Sequence, residues 1–494
     1  MKKKRLSILA TLSLAAFVVG GCSMGSDAKG ESEIYIFNTK SEISDTLKEV
    51  AKDYEKETGK KVKTFSPGSG ADVTETMNTE MTSKNAPSIF ATNSLMTWGP
   101  KEGDFMYNLN DTSNEGLKDL VSQIPNNMRL SVDKDTSFGV PYTMEGYGYI
   151  VDKNLLGELF VDADLDTLLN DLRESDFNSF TSFTDTVNDF IQNGVTSTIE
   201  LNGNSYKLAQ EKTDLTKELT GVFVEAGAEK WTYADHMINI PMNTIFTSYS
   251  DALYSDAEDI KKIKDSLIRY MEVLEYNTSH AAGETGPLKR GPEFINGTTG
   301  SYDNSLQLFA DHKGLFIKQG NWIYPNLTKL NPEILDTLEI IPVKMPFVSS
   351  DIHIDQWTPE DYQRTIPTFV PNYWIINKQV SEERIKDAED FITWLYTSER
   401  GLKFLKEESG FILFNDLKNV DSLNTLNVQI SNYQASDKTM SNPFNASPGN
   451  FLEAVGNDLK ENYMSKENWD PATYPEFADR VINKWIELKQ DSQY

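Results

Sequence analysis

Cysteine and histidine are scarce in this chain, with one cysteine, Cys22, and four histidines among 494 residues. A single thiol forms no disulfide within the chain and supplies no thiolate cluster for zinc. The histidines also lack a cysteine or carboxylate at metal-ligand spacing. We therefore expect no metal and no cofactor, and a fold that its hydrophobic core alone stabilises.

Catalytic signatures are missing as well. The chain has no Gly-x-Ser-x-Gly elbow, no P-loop and no Gly-x-Gly-x-x-Gly fingerprint. The segment 133–137 begins like a calcium loop but has Phe138 and Met144 where that loop needs glycine and glutamate. These absences predict a protein that is not an enzyme, with no catalytic residues. Because carboxylates are abundant, a surface glycoside hydrolase stays open as an alternative.

Only one long apolar run occurs, and it lies at the start of the chain. Lys2 to Arg5 is basic, Leu6 to Val19 is apolar, and Val19-Gly20-Gly21-Cys22 resembles a bacterial lipobox. The run is shorter than the roughly 17–25 residues of a spanning helix and is typical of a secretory signal. We expect a signal peptide at 1–21, a lipid on Cys22, and a flexible Gly/Ser-rich tether at 22–32. The rest would stand at the outer face of the bacterial cytoplasmic membrane.

Acidic residues dominate the charge, with 75 Asp and Glu against 47 Lys and Arg and a formal net charge of −28. Such a surface repels nucleic acid, which we exclude as a partner. It leaves a cationic solute such as a polyamine open as a ligand. The 8 Trp, 21 Tyr and 25 Phe suit a site for flat apolar ring faces, although most will lie in the core.

Strand and helix patterns alternate in the first part of the chain after the tether. Apolar strand-like runs alternate with helix-spaced segments over 34–37, 43–58, 62–65, 72–83 and 88–91. This order predicts parallel strands and a doubly wound α/β lobe. In such sheets, ligands bind at the carboxyl ends of the strands. Polar residues at or near those ends are therefore candidate ligand contacts: Asn38, Lys40, Gly70, Asn93 and Ser94.

Five later segments, taken in order, resemble the family 1 extracellular solute-binding proteins, the carbohydrate-binding lipoproteins of ABC importers. The first holds Gly139-Val140-Pro141-Tyr142 and Asp152-Lys153-Asn154-Leu155, similar to the family's first crossing between lobes. The others are 182–185, 308–322, Asn372-Tyr373-Trp374 with the residues to 378, and the helix-like 388–401. The chain is longer than the common member, with the extra length between 155 and 300.

The resemblance implies a two-lobed, periplasmic-binding-protein-like α/β fold, each lobe a doubly wound sheet flanked by helices, with a hinge between the lobes. The N-terminal lobe would comprise 33–144 plus 371–435, and the C-terminal lobe 145–370 plus 436–494. A carbohydrate, specifically an oligosaccharide, would bind in the cleft of a monomer that delivers it to the permease subunits of an ABC importer. A peptide or polyamine receptor is the alternative among binding proteins.

The same resemblance assigns candidate ligand contacts. Trp322, preceded by Gly320-Asn321, matches the family's cleft tryptophan, which would stack on a sugar ring. Residues at the two crossings between lobes should face the cleft. The remaining candidates are Asn321, Glu145 and Tyr147 at the first crossing, Asn372 and Tyr373 at the second, and Trp98 as a further stacking residue.

Overall fold

Two mixed sheets, each flanked by helices, organise the computed structural model into two lobes. The structure describes residues 33–68, 73–101, 103–416 and 423–492. These residues belong to one compact unit, Ser32–Tyr494. The predicted signal peptide 1–21, the tether 22–32 with Cys22, and the candidate contact Gly70 lie outside the described residues.

The strands are short, and most are buried. They are β1 (Glu33–Phe37), β2 (Lys61–Phe65), β3 (Ile89–Thr92), β4 (Val140–Pro141), β5 (Glu145–Asp152), β6 (Phe160–Val161), β7 (Thr198–Leu201), β8 (Asn204–Leu208), β9 (Gly221–Val224), β10 (Gly314–Gly320), β11 (Leu338–Ile341), β12 (Ile366–Phe369), β13 (Tyr373–Ile376) and β14 (Thr439–Met440).

Helices cover both lobes. They are α1 (Ser44–Thr58), α2 (Val73–Met81), α3 (Leu95–Trp98), α4 (Glu115–Ser122), α5 (Lys153–Leu159), α6 (Leu165–Glu174), α7 (Phe177–Asn193), α8 (His236–Met242), α9 (Tyr249–Tyr254), α10 (Lys264–Ser279), α11 (Tyr302–Ala310), α12 (Tyr324–Leu330), α13 (Pro359–Arg364), α14 (Glu382–Thr397), α15 (Glu399–Lys403), α16 (Thr425–Ala435), α17 (Phe451–Leu459) and α18 (Tyr474–Asp491). Within the described ranges, none of them combines the length and apolar character needed to cross a bilayer.

The first sheet has the strand order β2-β1-β3-β13-β4. Strand β1 runs parallel to β2 and β3, whereas β13 is antiparallel to β3 and β4. Helix α1 crosses from β1 to β2 and buries Leu47, Val50 and Tyr54, as the helical spacing predicts. Gly59, with a φ of 77°, ends α1 in the left-handed conformation that glycine adopts without strain. The predicted doubly wound α/β class is confirmed.

The second sheet has the order β14-β12-β5-β10-β9, with β11 paired to β5. All eight residues of β5 are buried, because the strand is central and covered on both faces. The first sheet takes its strands from 33–144 and 371–435, and the second from 145–370 and 436–494. The exact lobe boundaries stay a prediction.

A small third sheet, β6-β8-β7, lies within the extra length of the chain. Its hairpin turns at Asn202 and Gly203, which have φ angles of 50° and 86°. Two positive φ angles form the tight turn that the Asn-Gly pair favours.

The chain passes between the lobes at two neighbouring points. Phe369, at the end of β12, pairs with Glu145, at the start of β5. The Asn321 amide bridges this junction, because its Oδ1 accepts from the Gly146 N–H at 3.1 Å and its Nδ2 donates to Asn427 Oδ1 at 2.7 Å. A further contact joins the lobes where the Tyr254 hydroxyl donates to the Val132 carbonyl at 2.8 Å.

Candidate ligand-binding cleft

A cavity of about 450 Å³ opens where the carboxyl ends of β1 and β3 face the second lobe. Its size suits a small ligand, since binding pockets commonly enclose about 300–1,000 Å³. The segment 444–452, which leads into α17, covers one side and approaches the first lobe closely. A Cβ placed on Gly449 would lie 3.5 Å from Thr97 Oγ1. Both lobes therefore contribute walls.

Seven of the twelve predicted contacts line this cavity. They are Lys40, Asn93, Ser94, Trp98, Glu145, Trp322 and Asn372. The strand-end argument explains the meeting of Lys40, Asn93 and Ser94, because parallel strands deliver their carboxyl ends to one edge of the sheet. That they touch a ligand stays a prediction.

Four other predicted contacts lie behind the cavity wall. They are Asn38, Tyr147, Asn321 and Tyr373. Asn38 is fully buried, and its Nδ2 donates to the Lys40 carbonyl at 2.6 Å. The Tyr147 hydroxyl donates to the His236 carbonyl at 2.6 Å. The Tyr373 hydroxyl donates to the Met128 carbonyl. The structure thus gives these side chains internal hydrogen bonds that support the wall, and their ligand contact stays a prediction.

A buried ionic triad crosses the junction of the lobes. Lys40 Nζ lies 2.6 Å from Glu42 Oε1 and 2.6 Å from Glu145 Oε1. Burial by itself lowers the pKa of Lys40, but the charges of Glu145 and Glu42 outweigh it and raise that pKa above its ordinary value. Burial also raises the pKa of Glu145, an effect that Lys40 opposes. The triad therefore places one ammonium between two carboxyl groups at the cavity wall.

Aromatic rings form the second-lobe side of the cavity. The Trp322 ring centroid lies 6.1 Å from that of Trp231, 5.1 Å from His236 and 6.5 Å from Phe369. Trp322 Nε1 donates to Gln319 Oε1 at 2.9 Å, which fixes the ring orientation. Such rings present the flat apolar faces that ring-shaped ligands need.

Gly320 allows the Trp322 ring to take this position. A Cβ placed on Gly320 would lie 2.2 Å from an atom of the Trp322 ring and 2.3 Å from the Gly146 carbonyl oxygen. No side chain fits in that space, so glycine is required where β10 ends against β5.

Carboxylates and an imidazole accompany the rings. Glu229 accepts from Trp231 Nε1 at 3.2 Å. Burial raises the pKa of Asp235 to about 7, although Lys318 opposes the shift. Burial lowers the pKa of His236 well below its ordinary value, so this ring is neutral at physiological pH. The wall is therefore rich in hydrogen-bond acceptors.

Sequence reasoning missed Trp231, Asp235, His236 and Tyr302, which all line the cavity. Residues Trp231–Asp235 form a single π turn that leads into α8. Such bulges occur frequently at functional sites, because they redirect side chains from the regular helix. The signal available in the sequence was a run that joins aromatic rings, an aspartate and one of the four histidines without apolar periodicity.

In the described part of the chain, no group of three or more histidine, cysteine or acidic residues is placed to hold a metal ion. The cleft thus offers rings, hydrogen-bond acceptors and one ammonium, which equip it for binding a ligand.

The sequence matches a known family, and the fold matches known structures. Residues 49–416 match the model of a family described as bacterial extracellular solute-binding protein. Among curated proteins, none matches the sequence significantly. Several solved structures share the fold over nearly the whole chain.

A solute-binding protein, RafE, in complex with raffinose has a TM-score of 0.61 and 16% identity, covering 92% of this chain and 99% of its own. A chitin oligosaccharide binding protein has a TM-score of 0.58 and 15% identity, covering 93% and 99%. The MalE domain of Bdellovibrio bacteriovorus bound to maltotriose has a TM-score of 0.54 and 13% identity, covering 92% and 100%. At these identities, the likeness shows the fold.

Proposed function

The chain belongs to the bacterial extracellular solute-binding proteins, and from this premise we propose that it captures an oligosaccharide in the cleft and delivers it to an ABC importer permease. One observation carries the proposal: a cavity between two lobes has Trp231 and Trp322 on one wall and Asn93, Ser94 and Asn372 on the other. A sugar has an apolar ring face and a rim of hydroxyls, and this pair of walls offers a partner for each.

Closure of the lobes supplies the affinity. A neutral hydrogen bond contributes about 0.5–1.5 kcal/mol net, so several must converge on one ligand. Because the contacts lie on both lobes, only the closed form makes all of them together, and the ligand stabilises that form. Sugar-bound relatives of the same fold, those with raffinose and maltotriose, support a carbohydrate ligand.

Delivery requires the protein to stay near its permease. The lipobox-like segment that ends at Cys22 and the tether at 22–32 support a lipoprotein on the outer face of the cytoplasmic membrane, which we propose acts as a monomer. Two acyl chains hold a protein stably at a membrane, whereas one gives only marginal binding. The ligand leaves the cleft chemically unchanged.

Calorimetric titration with a panel of neutral oligosaccharides tests the proposal. We expect heat with at least one of them and no release of reducing sugar on prolonged incubation. Replacing Trp322 with alanine should weaken that binding at least about ten-fold, since buried aromatic anchors commonly contribute more than the 1.4 kcal/mol that ten-fold represents.

The matched control is Trp357→Ala. Trp357 is also in the second lobe, where its ring packs on Tyr362 at 5.0 Å between centroids, and it is not among the cavity-lining residues. We expect its affinity to equal that of the wild type. Absence of binding to every oligosaccharide, or equal loss in both variants, would contradict the proposal.

A further inference from the structure

The cavity carries more negative than positive side chains. Lys40 is the one cation among the described lining residues, against the carboxylates Glu42, Glu145, Glu229 and Asp235. The Lys40 ammonium lies 2.6 Å from both Glu42 and Glu145, so its charge is already paired with those two carboxylates. The second-lobe wall adds the carboxyl groups of Glu229 and Asp235. With a pKa of about 7, Asp235 is ionised in about half of the molecules at neutral pH.

Three buried polar atoms at the cavity have no hydrogen-bond partner within the described residues. They are Asp235 Oδ1, His236 Nδ1 and the Tyr302 hydroxyl. His236 is 5% exposed and Tyr302 6% exposed, so little solvent reaches either side chain. Buried polar groups are nearly always paired, and each exception asks for an explanation. Because all three residues line the cavity, we infer that a bound ligand forms the missing hydrogen bonds.

The other titratable groups around Asp235 do not offset the negative charge of the cavity. Lys318 on β10 is buried and donates to the Thr232 carbonyl, and it also interacts with Glu225, which follows β9. Neither Lys318 nor Glu225 lines the cavity. His236 adds no positive charge because burial holds its pKa well below the ordinary value. The Tyr147 hydroxyl, whose pKa burial raises well above its ordinary value, is neutral.

We propose that the bound carbohydrate carries a cationic amino group and that the Asp235 carboxylate, in a cavity that Glu229 also lines, holds this ammonium. This inference rests on the proposed function. An ammonium brings three donors, and charge-assisted hydrogen bonds are stronger than neutral ones. The Trp231 and Trp322 faces favour a cation as well. The net charge of −28 attracts cationic ligands from a distance.

Calorimetry with matched trimers tests this inference at neutral pH. The probes are a glucosamine trimer, an N-acetylglucosamine trimer, a glucose trimer and spermidine. We expect the glucosamine trimer to bind at least about ten-fold tighter than either neutral trimer, the order expected for one charge-assisted hydrogen bond. Spermidine, which has amines but no sugar ring, should bind more weakly than the glucosamine trimer.

Two variants locate the effect. Asp235→Asn should remove the preference for the glucosamine trimer, lowering the ratio of its affinity to that of the neutral trimers by about ten-fold or more. Asp303→Asn is the control, since Asp303 is exposed next to Tyr302 and lies outside the cavity lining. It should keep the wild-type preference. Urea midpoints equal to the wild type verify that both variants fold.

The outcomes separate this inference from the proposed function. If a neutral trimer binds as tightly as the glucosamine trimer or tighter, the inference is overturned and the proposed function stands. If spermidine binds and no sugar does, both are overturned. Because the wild-type panel decides between these outcomes, the inference is testable even if a variant does not fold.

Discussion

Replacing Lys40 with methionine leaves two carboxylates close together at the junction of the lobes. Lys40 is 7% exposed and its partner Glu145 is 3% exposed, so water screens their interaction little. Glu42 lies on the same ammonium, with a side chain that is 10% exposed. The variant retains both acids and removes the cation between them.

The distances of the Lys40 ion pairs determine how much the unfolding free energy should fall. At an effective dielectric constant of about 20, two unit charges 2.6 Å apart attract each other by about 6 kcal/mol. Desolvation of the ions offsets much of this attraction. Removing one partner of a buried pair nevertheless costs about 3–5 kcal/mol, because the other charge stays buried and uncompensated. We expect Lys40→Met to lower the free energy of unfolding by that amount.

Urea unfolding of the wild type and of two lysine variants provides the assay. The control is Lys48→Met, because Lys48 is 53% exposed and pairs with Asp45 at 3.0 Å at the surface. An exposed pair contributes about 0–1 kcal/mol, so the control midpoint should stay near that of the wild type. If the two variants shift the midpoint equally at an unchanged slope, the buried triad does not stabilise the junction and the reasoning is refuted.

Two further predictions concern the cleft and the C-terminal helix. Gly320→Ala should displace both the Trp322 ring and the Gly146 carbonyl, which lie 2.2 Å and 2.3 Å from the position of the new Cβ. We expect it to weaken ligand binding in calorimetry and to lower the urea midpoint. Gly297→Ala, whose Cβ would meet nothing within 4 Å, should change neither. Lys489 donates to the Ala252 carbonyl, and burial lowers its pKa in the folded protein to about 8. Below that pH the folded protein carries the full cost of burying the charged ammonium. This cost is relieved as the pH rises towards about 10, the pKa of a lysine in the unfolded chain. The unfolding free energy of the wild type relative to Lys489→Met should therefore rise over that interval, and a constant difference would contradict the assignment.

Local chemistry made much of the fold predictable. The apolar spacing of α1 and the glycine after it specify a helix and its end without reference to the rest of the chain. Ser381 caps α14 by accepting from the Arg384 N–H, as its position before two glutamates predicts. The turn at Asn202-Gly203 likewise follows from two residues that tolerate positive φ.

The site was predictable where it follows from topology. Strand ends bring Lys40 and Asn93 to the cavity, because parallel strands deliver their carboxyl ends to one edge. The same rule does not say which way a side chain turns. Asn38 also follows β1, but its amide bonds to nearby polar groups and lies behind the wall.

The second-lobe wall depends on packing between distant segments. The π turn at Trp231–Asp235 reaches the cavity only because it packs beside the end of β10 and Tyr302. Neither a π turn nor the raised pKa of Asp235 has a periodic signature, since the first is a local departure from the helix and the second results from burial.

The strand order of the first sheet constrains how the protein folds during synthesis and export. Strand β3 pairs on one side with β1, but its other neighbour is β13, which follows residues 145–370, the larger part of the second lobe. Until Tyr373–Ile376 has left the ribosome or the membrane channel, β3 presents unpaired backbone groups that can pair with another chain. The segment 33–144 therefore cannot complete this sheet alone, and a chain that stops before β13 should aggregate.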